Sequence, residues 1–278
     1  MLFKQEQSLS KSHQLNLENL RDYIKNLKKV CVAYSGGVDS ALIALISHEQ
    51  LGNKAIAITG VSPALAPNLL EEARQQARWI GINHQECLTD ELLNPGYNKN
   101  PENRCFACKS ELHAKLIKIA TQADGATVID GVNHDDLSDY RPGINAAIKA
   151  GVISPLAQLK INKHAVRSIS RSLGAPWWDK PAQPCLSSRI TYGERINAEK
   201  LNKIAKAEQW LISKGFAKVR VRMQGLTARI EVPTDQIETL AREACRKEII
   251  NYFLSIGFNA VCIDLEGLIS GKLNREIT

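Results

Sequence analysis

Val30–Ser47 reads VCVAYSGGVDSALIALIS, and this stretch decides the fold. Val30–Tyr34 is a short β-branched run, suited to a buried strand. Ala41–His48 is almost continuously apolar and helix-prone. Between them lies SGGVDS, Ser35–Ser40, where a strand turns into a helix. Gly36 and Gly37 permit positive φ and leave no Cβ to obstruct an oxyanion. The amides at the start of the next helix add donors and a partial positive charge. Ser35 and Ser40 add hydroxyls, and Asp39 can cap the helix or bring Mg²⁺ to bound phosphates. A Walker loop would carry Lys before its Ser or Thr; this one does not. It is a phosphate cradle of another kind.

Outward from this turn, apolar spacing predicts a helix over residues 14–29 before the strand. After it come a strand at Lys54–Thr59, a helix at Asn68–Ile80 and a strand at Ile82–Cys87. A helix at Ala107–Thr121, a strand at Ala126–Gly131 and a helix capped by Asn162 and running to Leu173 follow. Strands alternating with helices of this length imply βαβ units and a doubly wound parallel sheet. The alternation stops near Pro176, and Trp177–Gly193 is long, Pro-bearing and aperiodic. A helix at Asn197–Lys214, strands at Ala217–Met223 and Leu226–Val232, a helix at Thr234–Ile256 and a strand at Asn259–Leu265 complete the chain. The expected domains are therefore residues 1–180, α/β and nucleotide-binding, and residues 181–278, a smaller α+β unit for substrate binding or oligomerisation.

A chain of 278 residues accommodates two such domains. With 44% apolar and 23% charged residues it is a globular composition, not a disordered one. No apolar run reaches the ~18 residues of a membrane span. The opening MLFKQEQSLSKSHQ has no apolar core of a signal peptide, so a cytoplasmic location is expected. A formal charge of +7 favours anionic partners: nucleotides, phosphorylated metabolites or RNA. Seven cysteines, an odd number spread along the chain, argue against a disulfide framework.

SGGVDS resembles the PP-loop of ATP pyrophosphatases, which cleave ATP between the α- and β-phosphates. The resemblance continues in NRCFACK (Asn103–Lys109), DGVNHDD (Asp130–Asp136), RPG (Arg141–Gly143) and GVISPL (Gly151–Leu156). It runs on through WDKPAQPCLSSRITYG, the VRVR…ARIEV pair at Val219–Val232 and the closing DLEGLISGKLN. Together these are similar to the LarE family, ATP-dependent sacrificial sulfur transferases that help to build the nickel-pincer cofactor of lactate racemase. The resemblance implies adenylation of a carboxylate on a pyridinium dicarboxylate mononucleotide, with loss of pyrophosphate. A protein cysteine then forms a thioester, and cleavage of its carbon–sulfur bond leaves a thiocarboxylate on the product and dehydroalanine in the chain. The position matching that cysteine is Cys185. Matching substrate-phosphate arginines are Arg220 and Arg222, with Ser188, Arg189, Glu208 and Glu231 as further substrate-site residues. Adenosine contacts are expected at Thr59, Gly60 and Gly131, with Arg104 and Lys109 as phosphate ligands. ATP and Mg²⁺ are the implied cofactors, the latter on Asp39, and a homo-hexamer is the family's habit.

The residues also speak for themselves. Cys185 lies in a polar, Pro-flanked segment with Arg189 close by in sequence, the setting of a reactive thiol. Cys31, Cys87, Cys245 and Cys262 sit in apolar strand or helix contexts and read as core. Cys105 and Cys108 form half of a metal motif with no second half in the sequence. They remain open between a structural pair, a redox pair and two ligands of an iron–sulfur cluster completed by Cys185. Lys218, Arg220 and Arg222 share one strand face. A hairpin turning about Gln224–Gly225 would set Arg220 opposite Arg229, a repulsion that Glu231 or a substrate phosphate would relieve. Two other functions fit parts of this reading: a PP-loop tRNA thiolation enzyme with an iron–sulfur cluster, and a non-catalytic adenine-nucleotide-binding module. Against RNA, no run of five or more Lys or Arg occurs, so nucleic acid is not the expected partner.

Overall fold

A computed structural model describes residues 9–138, 142–269, 271, 272 and 275. Arg141 of the RPG motif and Ser270, Leu273 and Asn274 of the closing motif lie outside the described residues. The chain forms two compact units. One takes the described residues through Ser62, Leu69–Glu91 and Cys105–Gln183; the other takes Pro63–Asn68, Leu92–Arg104 and the described residues from Pro184 onward.

The first unit is built on four strands: β1 (Val30–Ala33), β2 (Ala55–Val61), β3 (Asn83–Leu88) and β4 (Thr127–Ile129). Their order is β3-β2-β1-β4, all parallel, with Val30 opposite both Ala55 and Thr127. The alternation along β1 feeds two different layers, as a strand covered on both faces requires. Val30 and Val32 pack with Leu20, Ile24, Leu42, Leu45 and Ile169, from helices Lys11–Asn26, Val38–Leu51 and Lys163–Ser172. Cys31 points the other way, among Ile58, Leu116 and Ala147 beneath helices Arg104–Gln122 and Pro142–Lys149. The helix after β1 is buried all round from Ser40 to Ser47, which is why its sequence is apolar without a stripe. Sequence order reverses between β1 and β4, and ligands of such sheets bind at the strands' carboxyl ends there.

The second unit holds β5 (Arg220–Gln224), β6 (Thr227–Glu231) and β7 (Ala260–Ile263), in that order. The first pair is antiparallel and the second parallel. Helix Ala198–Ser213 is capped by Asn197, whose side chain accepts from the Lys200 amide. The hairpin turns one residue later than the sequence suggested, on Gly225 and Leu226, with Gly225 at φ +57°. That shift sets Arg220 opposite Glu231 and Arg222, not Arg220, opposite Arg229. The long helix expected over Thr234–Ile256 is broken at Arg242, whose extended backbone (φ −58°, ψ 141°) separates Ile237–Ala241 from Glu243–Ser255.

This unit also takes residues 92–104, a segment whose sequence shows no periodicity. Asn100 is buried and donates through Nδ2 to the carbonyls of Ile190 (3.3 Å) and Thr191 (2.7 Å). The Tyr97 and Ser187 hydroxyls meet at 2.5 Å. Arg104, expected near phosphate, is 4% exposed with its guanidinium 4.7 Å over the Tyr192 ring. Long-range hydrogen bonds of this kind carry no local sequence pattern.

Candidate functional site

In the first unit, SGGVDS closes on itself. The Ser40 hydroxyl donates to the Gly37 carbonyl at 3.1 Å, stands 3.1 Å from the Ser35 hydroxyl and accepts from the Ser35 amide at 3.3 Å. Only Gly36 of the glycine pair has positive φ, at +69°. Gly37 is instead the N-cap of Val38–Leu51, in an extended conformation (φ −75°, ψ 157°) and with no side-chain capping bond. The positive φ that both glycines permit is used at Gly36 alone, and of the two roles open to Asp39 capping is not the one taken: the first-turn amides are left to backbone geometry and any incoming anion. Gly131, after β4, lies where a Cβ would stand 2.6 Å from the Ser40 nitrogen, so its hydrogen lets β4 abut the loop. Thr59 is buried at the end of β2; its hydroxyl donates to the Tyr34 carbonyl at 2.8 Å and meets His84 Nε2 at 2.8 Å. That hydroxyl therefore fastens β1 to β2.

Asp39, on the first turn, accepts from Lys163 Nζ and, at 3.2 Å, from Asn133 Nδ2. Asn133 also donates to Asp136 at 2.9 Å, so DGVNHDD forms a polar brace beneath the loop. At the loop's other end, Lys180 Nζ lies 3.2 Å from the Gly36 carbonyl and 2.6 Å from Glu72. Sequence reading missed both lysines, since each is more than a hundred residues from its partner in the loop. Two ammonium groups thus stand beside a loop that carries no Lys or Arg of its own. The residues fit an ATP triphosphate, with turned backbone, uncapped amides, two hydroxyls and flanking lysines. Asp39 supplies one carboxylate, enough for a Mg²⁺ ion that takes its other oxygens from phosphate and water. Among the described residues, no three His, Cys, Asp or Glu side chains group as a resident metal set.

In the second unit, Cys185 is exposed and precedes the tight turn Leu186–Arg189. Arg189 is buried and forked onto Glu208, Nε to Oε1 at 2.9 Å and Nη2 to Oε2 at 3.1 Å. Its Nη1 reaches the carbonyls of Pro184 (2.8 Å) and Cys185 (3.3 Å) and the Ser188 hydroxyl (3.0 Å). Arg189 therefore holds the backbone that presents the thiol. Arg222 is forked onto buried Glu231 at 3.0 and 3.1 Å and donates to the Ser188 carbonyl at 2.6 Å. Glu208 also accepts from the Val221 amide at 2.9 Å, and Ile190 bridges to Met223. Two buried ion pairs thus fix the Cys185 turn to β5. Breaking such a pair leaves an uncompensated buried charge and costs about 3–5 kcal/mol.

Arg220 differs. It makes no ion pair with a carboxylate among the described residues, and its one hydrogen bond is to the Ile269 carbonyl at 3.4 Å. Burial, then Arg189 and Arg222, pull its pKa below the usual arginine value. An anion there would relieve both effects.

The other cysteines divide by exposure. Cys31 is fully buried, and burial pushes its thiol up to about 12. Cys87 and Cys245 are half-buried and Cys262 is exposed, so reading all four as core is corrected. Cys87 and Cys262 lie on edge strands β3 and β7, which are covered less than a central strand. Cys105 and Cys108 occupy the first turns of Arg104–Gln122, exposed and half-buried respectively.

No family model matches the chain. It is 53% identical, over 94% of its length and 98% of the relative's, to an uncharacterized protein of Synechocystis. It is 32% identical, over 92% of both chains, to the pyridinium-3,5-bisthiocarboxylic acid mononucleotide synthase of Lactiplantibacillus plantarum. A chain of the glutamine-hydrolyzing GMP synthase from Archaeoglobus fulgidus is 26% identical over 58% of this protein and 55% of its own length.

Proposed function

Because the chain belongs to the LarE family, we propose that it is an ATP-dependent sacrificial sulfur transferase acting on a pyridinium dicarboxylate mononucleotide. The observation that carries this reading is the near full-length identity to a synthase whose product bears two thiocarboxylates. The PP-loop and the Cys185 turn supply the two chemistries that such a reaction needs.

A substrate carboxylate oxygen attacks the α-phosphorus of ATP, and pyrophosphate leaves. Ser35, Gly36, Gly37 and Ser40 would hold the phosphates, and Asp39 would hold Mg²⁺, which shields their charge when bound. The Cys185 thiolate then attacks the acyl carbon of the adenylate and AMP departs, leaving a thioester. A base takes the Cys185 Cα proton, and the electron pair left behind forms the Cα–Cβ double bond as the Cβ–S bond breaks. The thiocarboxylate leaves with the sulfur, and dehydroalanine remains. Arg220, with no carboxylate partner among the described residues, is the guanidinium suited to the mononucleotide phosphate. Arg222 and Arg189 are committed to Glu231 and Glu208, so they act by holding Arg220 and the Cys185 turn in place. This chemistry fits a cytoplasmic enzyme, and assembly into a homo-oligomer is part of the same proposal.

The test is intact mass after turnover. Protein incubated with ATP, Mg²⁺ and the pyridinium dicarboxylate mononucleotide is expected to lose the elements of H₂S, with peptide mapping placing dehydroalanine at residue 185. Cys185→Ala is expected to release pyrophosphate yet transfer no sulfur. Repeated turnover with Cys185 unmodified would overturn the sacrificial mechanism.

A further inference from the structure

The phosphate loop has no lysine of its own, and the two that reach it among the described residues are placed differently. Lys163 stands on the Asp39 carboxylate, which is 20% exposed and needs a counter-charge. Lys180 comes from the segment after the last helix of its unit. Its side chain is 13% exposed, and its ammonium lies between the Gly36 carbonyl at 3.2 Å and Glu72 Oε2 at 2.6 Å. Gly36 is the bend of the loop, and the helix that receives the anion starts two residues later, at Val38.

As a stabilising contact this arrangement is poor. An ion pair to a carboxylate as open as Glu72, 39% exposed, adds little to stability. The entropy lost in ordering a lysine side chain opposes even that gain. As an anion site it is well made. The ammonium already lies against the backbone of the phosphate loop, and Glu72 is exposed enough to be released to water at little cost. A phosphate oxygen is a stronger partner for an ammonium than a neutral carbonyl. Cleavage between the α- and β-phosphates puts new negative charge on the departing pyrophosphate, where a fixed cation has most effect.

Building on the adenylation reading above, we infer that Lys180 is the pyrophosphate-binding cation of this site, passing from Glu72 and the Gly36 carbonyl to the β- and γ-phosphates of ATP. Its specificity is therefore for the part of the nucleotide that leaves. AMP, which lacks those phosphates, gains nothing from it.

The experiment compares calorimetric binding of ATP, inorganic pyrophosphate and AMP, together with ATP–pyrophosphate exchange, in the whole protein and three variants. Lys180→Met is expected to weaken ATP and pyrophosphate by about tenfold or more and slow exchange by a larger factor, while AMP affinity stays unchanged. Lys180→Arg, which keeps the charge, is expected to recover much of both and serves as the test should the Met variant not fold. Glu72→Gln removes only the competing carboxylate and is expected to tighten ATP. Equal weakening of AMP and ATP by Lys180→Met, or the same losses from Glu72→Gln, would make the contact a structural one and overturn the inference. Exchange in the unaltered protein with no effect of Lys180→Met overturns this inference alone. An unaltered protein that neither binds ATP nor exchanges pyrophosphate overturns the adenylation reading, and Lys180's role with it.

Discussion

Gly37 and Gly131 both lack a side chain at the phosphate loop, for different reasons, and substitution separates them. A Cβ on Gly37 would meet only the Ser35 hydroxyl, at 3.4 Å, and its φ of −75° suits any residue. Gly37→Val is therefore expected to keep the fold and lose pyrophosphate release, because the isopropyl group occupies the anion's approach. A Cβ on Gly131 would meet backbone, Ser40 N at 2.6 Å and Cα at 2.8 Å, which cannot rotate away. Gly131→Ala is expected to cost about 1–3 kcal/mol by overpacking and to weaken ATP binding as well. Urea unfolding beside ATP–pyrophosphate exchange decides both, and a Gly131→Ala protein of unaltered stability would refute the packing argument. The loop was legible because its chemistry is contiguous, six residues that do one job. Lys163 and Lys180 were not, since nothing local in KHAVR or WDKPA names a partner in the loop.

Among the elements, helices Arg104–Gln122 and Pro142–Lys149 cover the sheet face that Cys31 faces, and His113 lies buried between them. Burial, then Lys109, push its pKa down to about 4, against a hydrogen bond to the Ala146 backbone that acts the other way. The folded protein holds the ring neutral, while in the unfolded chain it titrates near the ordinary histidine value, about 6.5. Between those pH values the unfolded state binds the extra proton, so stability falls as pH falls. This one group removes at most about 3 kcal/mol by pH ~4. His113→Leu is expected to flatten the pH dependence of the urea midpoint across that window; an unchanged slope would assign the acid sensitivity elsewhere. The same elements show where sequence reading succeeded. The apolar runs at Val30–Tyr34, Lys54–Thr59 and Ala126–Gly131 became β1, β2 and β4, because a strand covered on both faces of a parallel sheet shows a plain run. Reading failed where structure depends on one dihedral or one turn residue. Arg242 breaks an apparently continuous helix, and Gly225 moves the arginine register by two residues. Arg189, Arg222, Glu208 and Glu231 were named from the family resemblance, but their pairing in twos, which leaves Arg220 without a carboxylate among the described residues, was visible only in three dimensions.

At the scale of the whole molecule, the proposed chemistry makes the protein a reagent, and its stoichiometry follows from atom balance. The Lactiplantibacillus relative is named for a product with two thiocarboxylates, and each chain has one Cys185 to give. Two protein molecules are then consumed for every molecule of doubly thiolated product, and the singly thiolated acid must pass from one chain to another between them. Product titrated against protein, with ATP and substrate in excess, is expected to plateau at half a molecule of bis-thio product per chain. The plateau should match the amount of dehydroalanine formed. A cluster held by Cys105, Cys108 and Cys185 would behave differently, because sulfide delivered from solution could be passed on repeatedly. In that case anaerobically purified protein would carry stoichiometric iron, Cys185→Ser would release it, and product would rise past the plateau when sulfide is supplied. The sacrificial reading requires that added sulfide leave the plateau where it is. Product exceeding one sulfur per chain would show that the molecule is a catalyst after all, and that Cys185 holds the sulfur source without being it.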